Sequence, residues 1–200
     1  NRTIAMCNKY FDGVVTNTNV CEPVDDELKS IALAMPGKTI KLENEFKLAK
    51  ALDEIYVLLR RTNKYIDETT PWVLGKDEAR KAELNRVLYD LVESLRAISV
   101  MIEPFIPTTA RRIWAQLNLP QNFDDEIRIS DIEGWGKTPV GIQINKPEQL
   151  FPRIEIEEEK PEAKKEVKEN KKAKKEEQKA PEKAKENEDG MIGIEDFSKI

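Results

Sequence analysis

The spacing of apolar side chains predicts three helices in the first 120 residues. Apolar positions three and four residues apart continue from residue 42 to residue 66, and a stronger series continues from 78 to 102, where Pro104 ends it. A shorter helix follows, for which Thr108 is placed as the N-cap and which stops before Pro120. The apolar face of this last helix consists of Ile113, Trp114 and Leu117.

Two weaker patterns complete this region. Residues 1–12 predict a helix with Gly13 available as its C-cap, and residues 25–34 predict a short helix that opens on acidic side chains, which favour the positive end of a helix. Helices with short connections indicate an all-α fold, an antiparallel helical bundle that extends to residue 120. Glycines and prolines interrupt residues 121–154, which predict an irregular tail packed on the bundle with a short strand at 141–144.

The composition changes after residue 154. The chain of 200 residues is 36% charged and 39% apolar, below the roughly 45–50% apolar content of a typical globular domain. Residues 155–190 interleave Lys and Glu with few apolar side chains, which predicts a solvated linker and disfavours a basic arm that contacts RNA. Residues 191–200 are apolar again and predict the start of a second domain.

The composition also excludes several kinds of chemistry. The chain has no histidine, so catalysis by a Ser-His-Asp or Cys-His arrangement and His-ligated zinc are excluded. Cys7 and Cys21 leave a disulfide open but lack the spacing of a zinc site, and no glycine-rich phosphate-binding motif is present. No apolar run approaches the roughly 18 residues of a membrane span and no signal peptide is visible, so we expect a cytoplasmic protein with no membrane partner.

Two features are candidates for binding. Pro71 and Trp72 stand where one predicted helix gives way to the next, and an aromatic ring at such a corner can stack on an unpaired base. The alternative is a tryptophan that closes the end of the bundle. The second feature is a local group of basic residues. Because the net charge of the chain is −5, binding to a nucleic acid would depend on such a local group. Each of these residues could instead belong to a solvated helix face. The group comprises Arg2, Lys9, Arg60, Arg61 and Lys64.

Four blocks of sequence carry a resemblance to a known family. They are NRTIAMCNKYFDG at 1–13, RTNKYIDETTPWVLGK at 61–76, MIEPFIPTTARRIWAQL at 101–117 and GIQINKPEQLFPRIE at 141–155. In this order they resemble the C-terminal region of bacterial methionyl-tRNA synthetases over essentially all of residues 1–155. The charged linker followed by IGIEDFSKI resembles the family's connection to an OB-fold tRNA-binding domain, which we expect to be truncated in this chain.

The resemblance implies a helical anticodon-binding domain of the class I synthetase type, which reads the CAU anticodon of methionine tRNA. In the family a tryptophan of a Pro-Trp pair stacks on an anticodon base, and this position is Trp72, beside Pro71. An arginine on the first helix reads the anticodon bases, and it corresponds to Arg2. The family also uses an asparagine four residues before that arginine, a position that precedes Asn1. The other basic residues stay candidates for contacts with phosphates.

The same resemblance assigns catalysis to a domain of the family's proteins that is absent from this sequence. The HIGH and KMSKS-type signatures, the Rossmann catalytic domain and the zinc-binding insert are absent, so we expect ATP and zinc with the catalytic part and no cofactor with this chain. The implied partners are tRNA(Met) and that catalytic domain, with a homodimer formed only through the OB-fold domain. Two rival interpretations stay open: a helical protein-interaction module, and the anticodon-binding domain of another class I synthetase.

Overall fold

The computed structural model describes residues 1–18 and 20–152, and every regular element within them is helical, which confirms the predicted all-α fold. None of these helices combines the length and the hydropathy that crossing a membrane requires. The predicted linker at 155–190 and the predicted domain start at 191–200 lie outside the described residues. The elements, in chain order, are α1 (Arg2–Phe11), α2 (Pro23–Asn44), α3 (Leu48–Thr69), α4 (Pro71–Leu74), a 3-10 turn (Glu78–Arg80), α5 (Lys81–Met101), α6 (Pro107–Leu117) and a second 3-10 turn (Ile129–Ile132).

Helix α5 forms the centre of the bundle. It packs against α1, α2, α3, α4 and α6, and from Arg86 to Met101 every side chain is buried except that of Leu95, which is half-buried. A helix that is covered on all sides needs apolar residues or paired polar residues on every face, and α5 carries both. The predicted helix at 78–102 therefore corresponds to a 3-10 turn followed by α5, which ends before Pro104 as the sequence indicates.

The second and third helices differ from the prediction. Helix α2 does not stop at residue 34: it has 22 residues and keeps Pro36 in its interior. Because Pro36 is buried, its packing offsets the hydrogen bond that a proline removes from the helix. The helix predicted from residue 42 begins only at Leu48, since Phe46 adopts a left-handed conformation with a φ of 55° and turns the chain. Phe46 is 90% exposed and so does not belong to the apolar face.

Two helix caps also differ from the prediction. The C-cap of α1 is Asp12, with a φ of 51°, one residue before Gly13. The first residue of α6 is Pro107, so Ile106 is the N-cap and Thr108 lies inside the helix. Proline favours the first turn because the N–H that it lacks would have no partner within the helix there. In both cases the helix forms where the apolar spacing predicts it, and only the boundary moves.

The tail after α6 pairs with the turn after α1. Val14 and Gln143 form an isolated antiparallel β-bridge, and the Val15 N–H donates to the carbonyl oxygen of Ile142 at 2.9 Å. The strand predicted at 141–144 is therefore present as this single bridge rather than as a regular strand.

A buried carboxylate on α5 holds the tail in place. Glu93 is 1% exposed and accepts two hydrogen bonds from the Arg96 guanidinium, at 3.0 and 2.6 Å. It also accepts hydrogen bonds from the backbone N–H groups of Lys137 and Thr138 and from the Thr138 hydroxyl. Arg96 in turn donates to the carbonyl oxygen of Asp131. This charge-assisted network fixes the irregular tail to the centre of the bundle.

A second buried polar cluster joins α2, α3, α5 and the tail. The Tyr65 hydroxyl donates to Asp25 at 2.6 Å, and Asp25 is fully buried. The Trp135 indole N–H donates to Asp90 at 3.2 Å. The Lys29 ammonium lies 3.9 Å from the Asp90 carboxylate, close enough to compensate part of its charge.

The Asp90 carboxyl is expected to make stability depend on pH. Burial raises its pKa from 3.8 to about 6, although Lys29 acts in the opposite direction. The folded state therefore keeps a proton that the unfolded chain releases near pH 4. The stabilising contribution of protonated Asp90 is full below about pH 4 and is lost as the pH rises through about 6.

The variant Asp90→Asn keeps an oxygen acceptor for Trp135 and carries no charge. We expect the difference in the free energy of unfolding, variant minus wild type, to increase by roughly 1–3 kcal/mol as the pH rises from about 4 to about 7.5. Denaturant titrations of both proteins across this range measure the gain. A difference between the two proteins that stays constant with pH would contradict the assignment.

Candidate nucleic-acid interface

Trp72 lies at a sharp corner between α3 and α4. Helix α3 ends at Thr69, Thr70 adopts a left-handed conformation with a φ of 43°, and α4 starts at once with Pro71. Pro71 and Leu74 are buried and anchor this single helical turn, which packs on α5. The outer side of the turn presents Trp72, which is 39% exposed, so its indole is available to a ligand and does not act as a fully buried closure of the bundle.

Arg2 stands beside this tryptophan on the first turn of α1. The carbon at the centre of its guanidinium lies 5.8 Å from the centroid of the Trp72 ring, within the range of a cation–π contact. The guanidinium is also 3.8 Å from the carboxylate of Asp67, near the end of α3. Both side chains of this ion pair are more than half exposed, so Arg2 can exchange Asp67 for another acceptor at little cost. The structure thus brings together Arg2, Pro71 and Trp72.

A close contact sets the spacing between α1 and the corner. Gly75 follows α4, and a Cβ added there would lie 2.3 Å from Cε1 of the Tyr10 ring, so a larger residue would have to displace that ring. The Lys9 ammonium lies 5.0 Å from the centroid of the same ring. Lys76, the residue after Gly75, is exposed. Lys76 was not among the basic residues predicted from the sequence, although its position four residues after Trp72 was a usable signal.

Arg61 is a correction to the predicted set of basic residues. It is 6% exposed, and its guanidinium lies 2.8 Å from Glu68 and 3.0 Å from Glu27. Neighbouring positions on a helix point about 100° apart, so Arg60 is exposed while Arg61 faces α2. Arg61 therefore ties α3 to α2 and is not available to an RNA phosphate.

The charge of Lys64 is also partly compensated. Its ammonium lies 3.2 Å from Glu68. Burial raises the pKa of Glu68, but hydrogen bonds from Lys64 and Arg61 outweigh this effect and leave the pKa below its usual value. An ionised Glu68 neutralises part of the positive charge on this face of α3. Much of the positive charge near the corner therefore comes from Arg2, Lys9 and Lys76.

A partly exposed indole, an arginine beside its ring and exposed lysines nearby are features that suit a helical module to binding unpaired RNA bases. A family model described as the anticodon-binding domain of methionyl-tRNA ligase matches residues 23–171. The chain belongs to this family, which confirms the resemblance seen in its sequence.

Known relatives agree with this assignment. The methionine–tRNA ligase of Clostridium perfringens is 44% identical over 163 residues, which are 82% of this chain and 24% of that protein. That of Caldanaerobacter subterraneus subsp. tengcongensis is 38% identical over 100% of this chain and 29% of its own length. The crystal structure of apo Mycobacterium tuberculosis methionyl-tRNA synthetase matches with a TM-score of 0.70 and 26% identity, over 78% of this chain and 31% of that one. The chain thus spans about a quarter of the length of the curated relatives it matches.

Proposed function

We propose that this chain recognises the CAU anticodon of methionine tRNA, as part of a methionine–tRNA ligase that aminoacylates this tRNA for translation in the cytoplasm. The observation that carries the proposal is the contact of Arg2 with Trp72, 5.8 Å from the guanidinium to the ring centroid, at the α3–α4 corner. Two distant parts of the chain supply this pair, both from helices, and both side chains are open to solvent.

The chemistry of an anticodon loop suits this pair. Bases in the loop are unpaired and can turn outwards onto protein side chains. One base stacks on Trp72, an interaction worth roughly 1–3 kcal/mol. Arg2 leaves Asp67 and donates to acceptors on a base edge, because the planar guanidinium holds its N–H donors in a fixed arrangement. A base whose edge lacks matching acceptors leaves these donors unpaired and therefore binds more weakly, so the site discriminates between bases.

Phosphate contacts supply affinity that does not depend on the sequence of the RNA. Lys9 and Lys76 flank the Tyr10–Gly75 contact, and Arg60 is exposed on α3. Lys64 can contribute where a phosphate competes with Glu68. Because binding to phosphates releases counterions, the affinity falls as the salt concentration rises.

Catalysis belongs, in this proposal, to the remaining length of the full protein. The partners are tRNA(Met) and that catalytic part, where ATP is used. A homodimer through an OB-fold domain stays a prediction, because residues 191–200 lie outside the described residues. A protein-interaction module is disfavoured, since it calls for an exposed apolar stripe on α5, whereas α5 is buried on almost every side. Membership of the methionyl family disfavours another class I synthetase.

A titration with two RNA hairpins tests the proposal. We expect a stem-loop with the CAU anticodon to bind at least about five-fold more tightly than the same hairpin with its first anticodon base changed, because one good contact to a base edge is worth about 1–3 kcal/mol. Fluorescence anisotropy of labelled hairpins at one fixed salt concentration gives both dissociation constants. Equal affinities would indicate binding without reading and contradict the proposal, and no binding at low salt would favour an interaction module.

A further inference from the structure

We propose that Thr70 is a positioning residue for anticodon recognition: its left-handed backbone conformation holds the Trp72 ring in the orientation that an RNA base requires. This inference rests on the proposed function. It adds a residue that contacts no base but sets the angle between α3 and the turn that carries the tryptophan.

The conformation of Thr70 is unusual for its side chain. Four non-glycine residues in the described part of the chain have a positive φ, and Thr70, with a φ of 43° and a ψ of 58°, is the β-branched one. Two of the others are Asp12 and Asn118, whose short polar side chains tolerate this region. A β-branched residue there is strained, and such strain concentrates at functional sites.

Two helices meet at Thr70 without a loop between them. Its N–H donates to the carbonyl oxygen of Ile66 at 3.0 Å, which closes α3. Its own carbonyl oxygen accepts a hydrogen bond from the Val73 N–H at 2.8 Å, which opens α4. The direction of α4 relative to α3 therefore depends on the φ and ψ of this one residue.

The surroundings maintain the strained conformation. Pro71 and Leu74 are buried on either side of the exposed pair Trp72 and Val73, so the turn has one orientation that covers its apolar side. Pro71 also has a fixed φ, which leaves Thr70 as the adjustable position before Trp72. The Thr70 side chain makes no capping hydrogen bond, so capping does not account for a threonine at this position.

The conformation decides which residues fit at position 70. Glycine and asparagine enter the left-handed region with less strain than threonine, so Thr70→Gly and Thr70→Asn should keep Trp72 in place and leave the fold as stable as before, or more stable. Proline is confined to a φ near −65° and cannot enter this region. Thr70→Pro should therefore turn α4 away from its wild-type direction and lower the fraction of molecules in which Trp72 is correctly placed.

Phe46 provides a matched control. It has nearly the same φ, 55°, at the other end of α3, and it is 90% exposed. The 22 residues of α3 place it roughly 33 Å from the Trp72 corner. Phe46→Pro excludes the same conformation and removes one backbone N–H donor far from the site, so it should affect stability in the same direction and leave RNA binding unchanged.

The test compares three variants in CAU hairpin binding and thermal unfolding. We expect Thr70→Pro to weaken binding about five-fold, as it would if one molecule in five had the competent orientation, with a fall in melting temperature no larger than that of Phe46→Pro. Thr70→Asn, which tolerates the left-handed region, should bind like the wild type. If Thr70→Pro bound like the wild type, or if Phe46→Pro lost as much affinity, the positioning role would be overturned.

A readout without RNA separates this inference from the proposed function. With 5-fluorotryptophan incorporated, loss of one 19F signal in Trp72→Phe identifies the Trp72 resonance. We expect this signal to broaden, divide or shift in Thr70→Pro and to stay unchanged in Phe46→Pro. If the wild type failed to distinguish the two hairpins, the proposed function would fail, whereas an unchanged Trp72 signal in Thr70→Pro would overturn the positioning of the ring by Thr70.

Discussion

Replacing Trp72 by alanine should weaken binding of the CAU hairpin roughly 5- to 150-fold while the domain stays folded. The reason is that stacking of one base on an aromatic ring contributes about 1–3 kcal/mol, and each 1.4 kcal/mol corresponds to a factor of ten in the dissociation constant. The ring is 39% exposed at the corner after α3, so its loss removes a surface for the base without opening the core. Anisotropy titrations of wild type and variant at the same salt concentration measure the change.

Val73→Ala is the control for this prediction. Val73 lies on the same exposed side of α4, at 47% exposure, and is not expected to stack on a base. Its truncation should change the affinity less than about two-fold, because its apolar surface gains little from a polar RNA. If Trp72→Ala instead lowered the melting temperature strongly and bound RNA in proportion to the folded fraction, the tryptophan would serve to close the bundle rather than to hold a base.

The helices most reliably predicted are those whose apolar positions repeat over several turns. The series from Leu84 to Ile102 forms α5 because every turn contributes to the core. Helix α2 was predicted too short, since it contains Pro36, and local preference gives no sign that burial will offset the lost hydrogen bond. The start of the helix predicted from residue 42 was wrong for a related reason: apolar spacing cannot show that Phe46 will adopt a left-handed conformation and turn the chain.

The candidate site shows a similar division between local and tertiary information. Pro71 and Trp72 are adjacent in sequence, so a corner with an aromatic ring could be predicted from them directly. The contact of Arg2 with this ring joins residues 70 positions apart and depends on how α1 packs. The burial of Arg61 likewise depends on α2, which covers one side of α3 and leaves the neighbouring Arg60 exposed.

The acidic residues show where single positions have two roles. Asp25 was interpreted as a charge at the start of a helix, and it does accept a hydrogen bond from the Glu22 N–H at 2.8 Å. It is also fully buried, where the Tyr65 hydroxyl donates to it and the Arg86 guanidinium lies 3.3 Å away. A sequence pattern identifies the first role because it is local. The second requires three helices to meet, which no spacing along one helix encodes.

Replacing Glu93 by alanine should have the largest effect on stability of any substitution considered for this domain, a loss of about 3–5 kcal/mol in the free energy of unfolding. The variant would leave the Arg96 guanidinium, whose side chain is 5% exposed, without its carboxylate partner, and the backbone N–H of Thr138 without its acceptor. For a domain of this size such a loss lowers the melting temperature by roughly 6–20 °C. Calorimetry or circular dichroism measures the shift.

Glu83→Ala on the same helix gives the comparison that isolates burial. Glu83 pairs with Arg80 at 2.7 Å with the same three-residue spacing, but its partner is 46% exposed and the pair is surrounded by solvent. We expect the free energy of unfolding to fall by at most about 1 kcal/mol, because water solvates the charge of an exposed arginine but cannot reach a buried one. Equal losses in the two variants would mean that Glu93 acts as an ordinary surface ion pair. A large loss confined to Glu93→Ala would show that this carboxylate fixes the tail to the bundle.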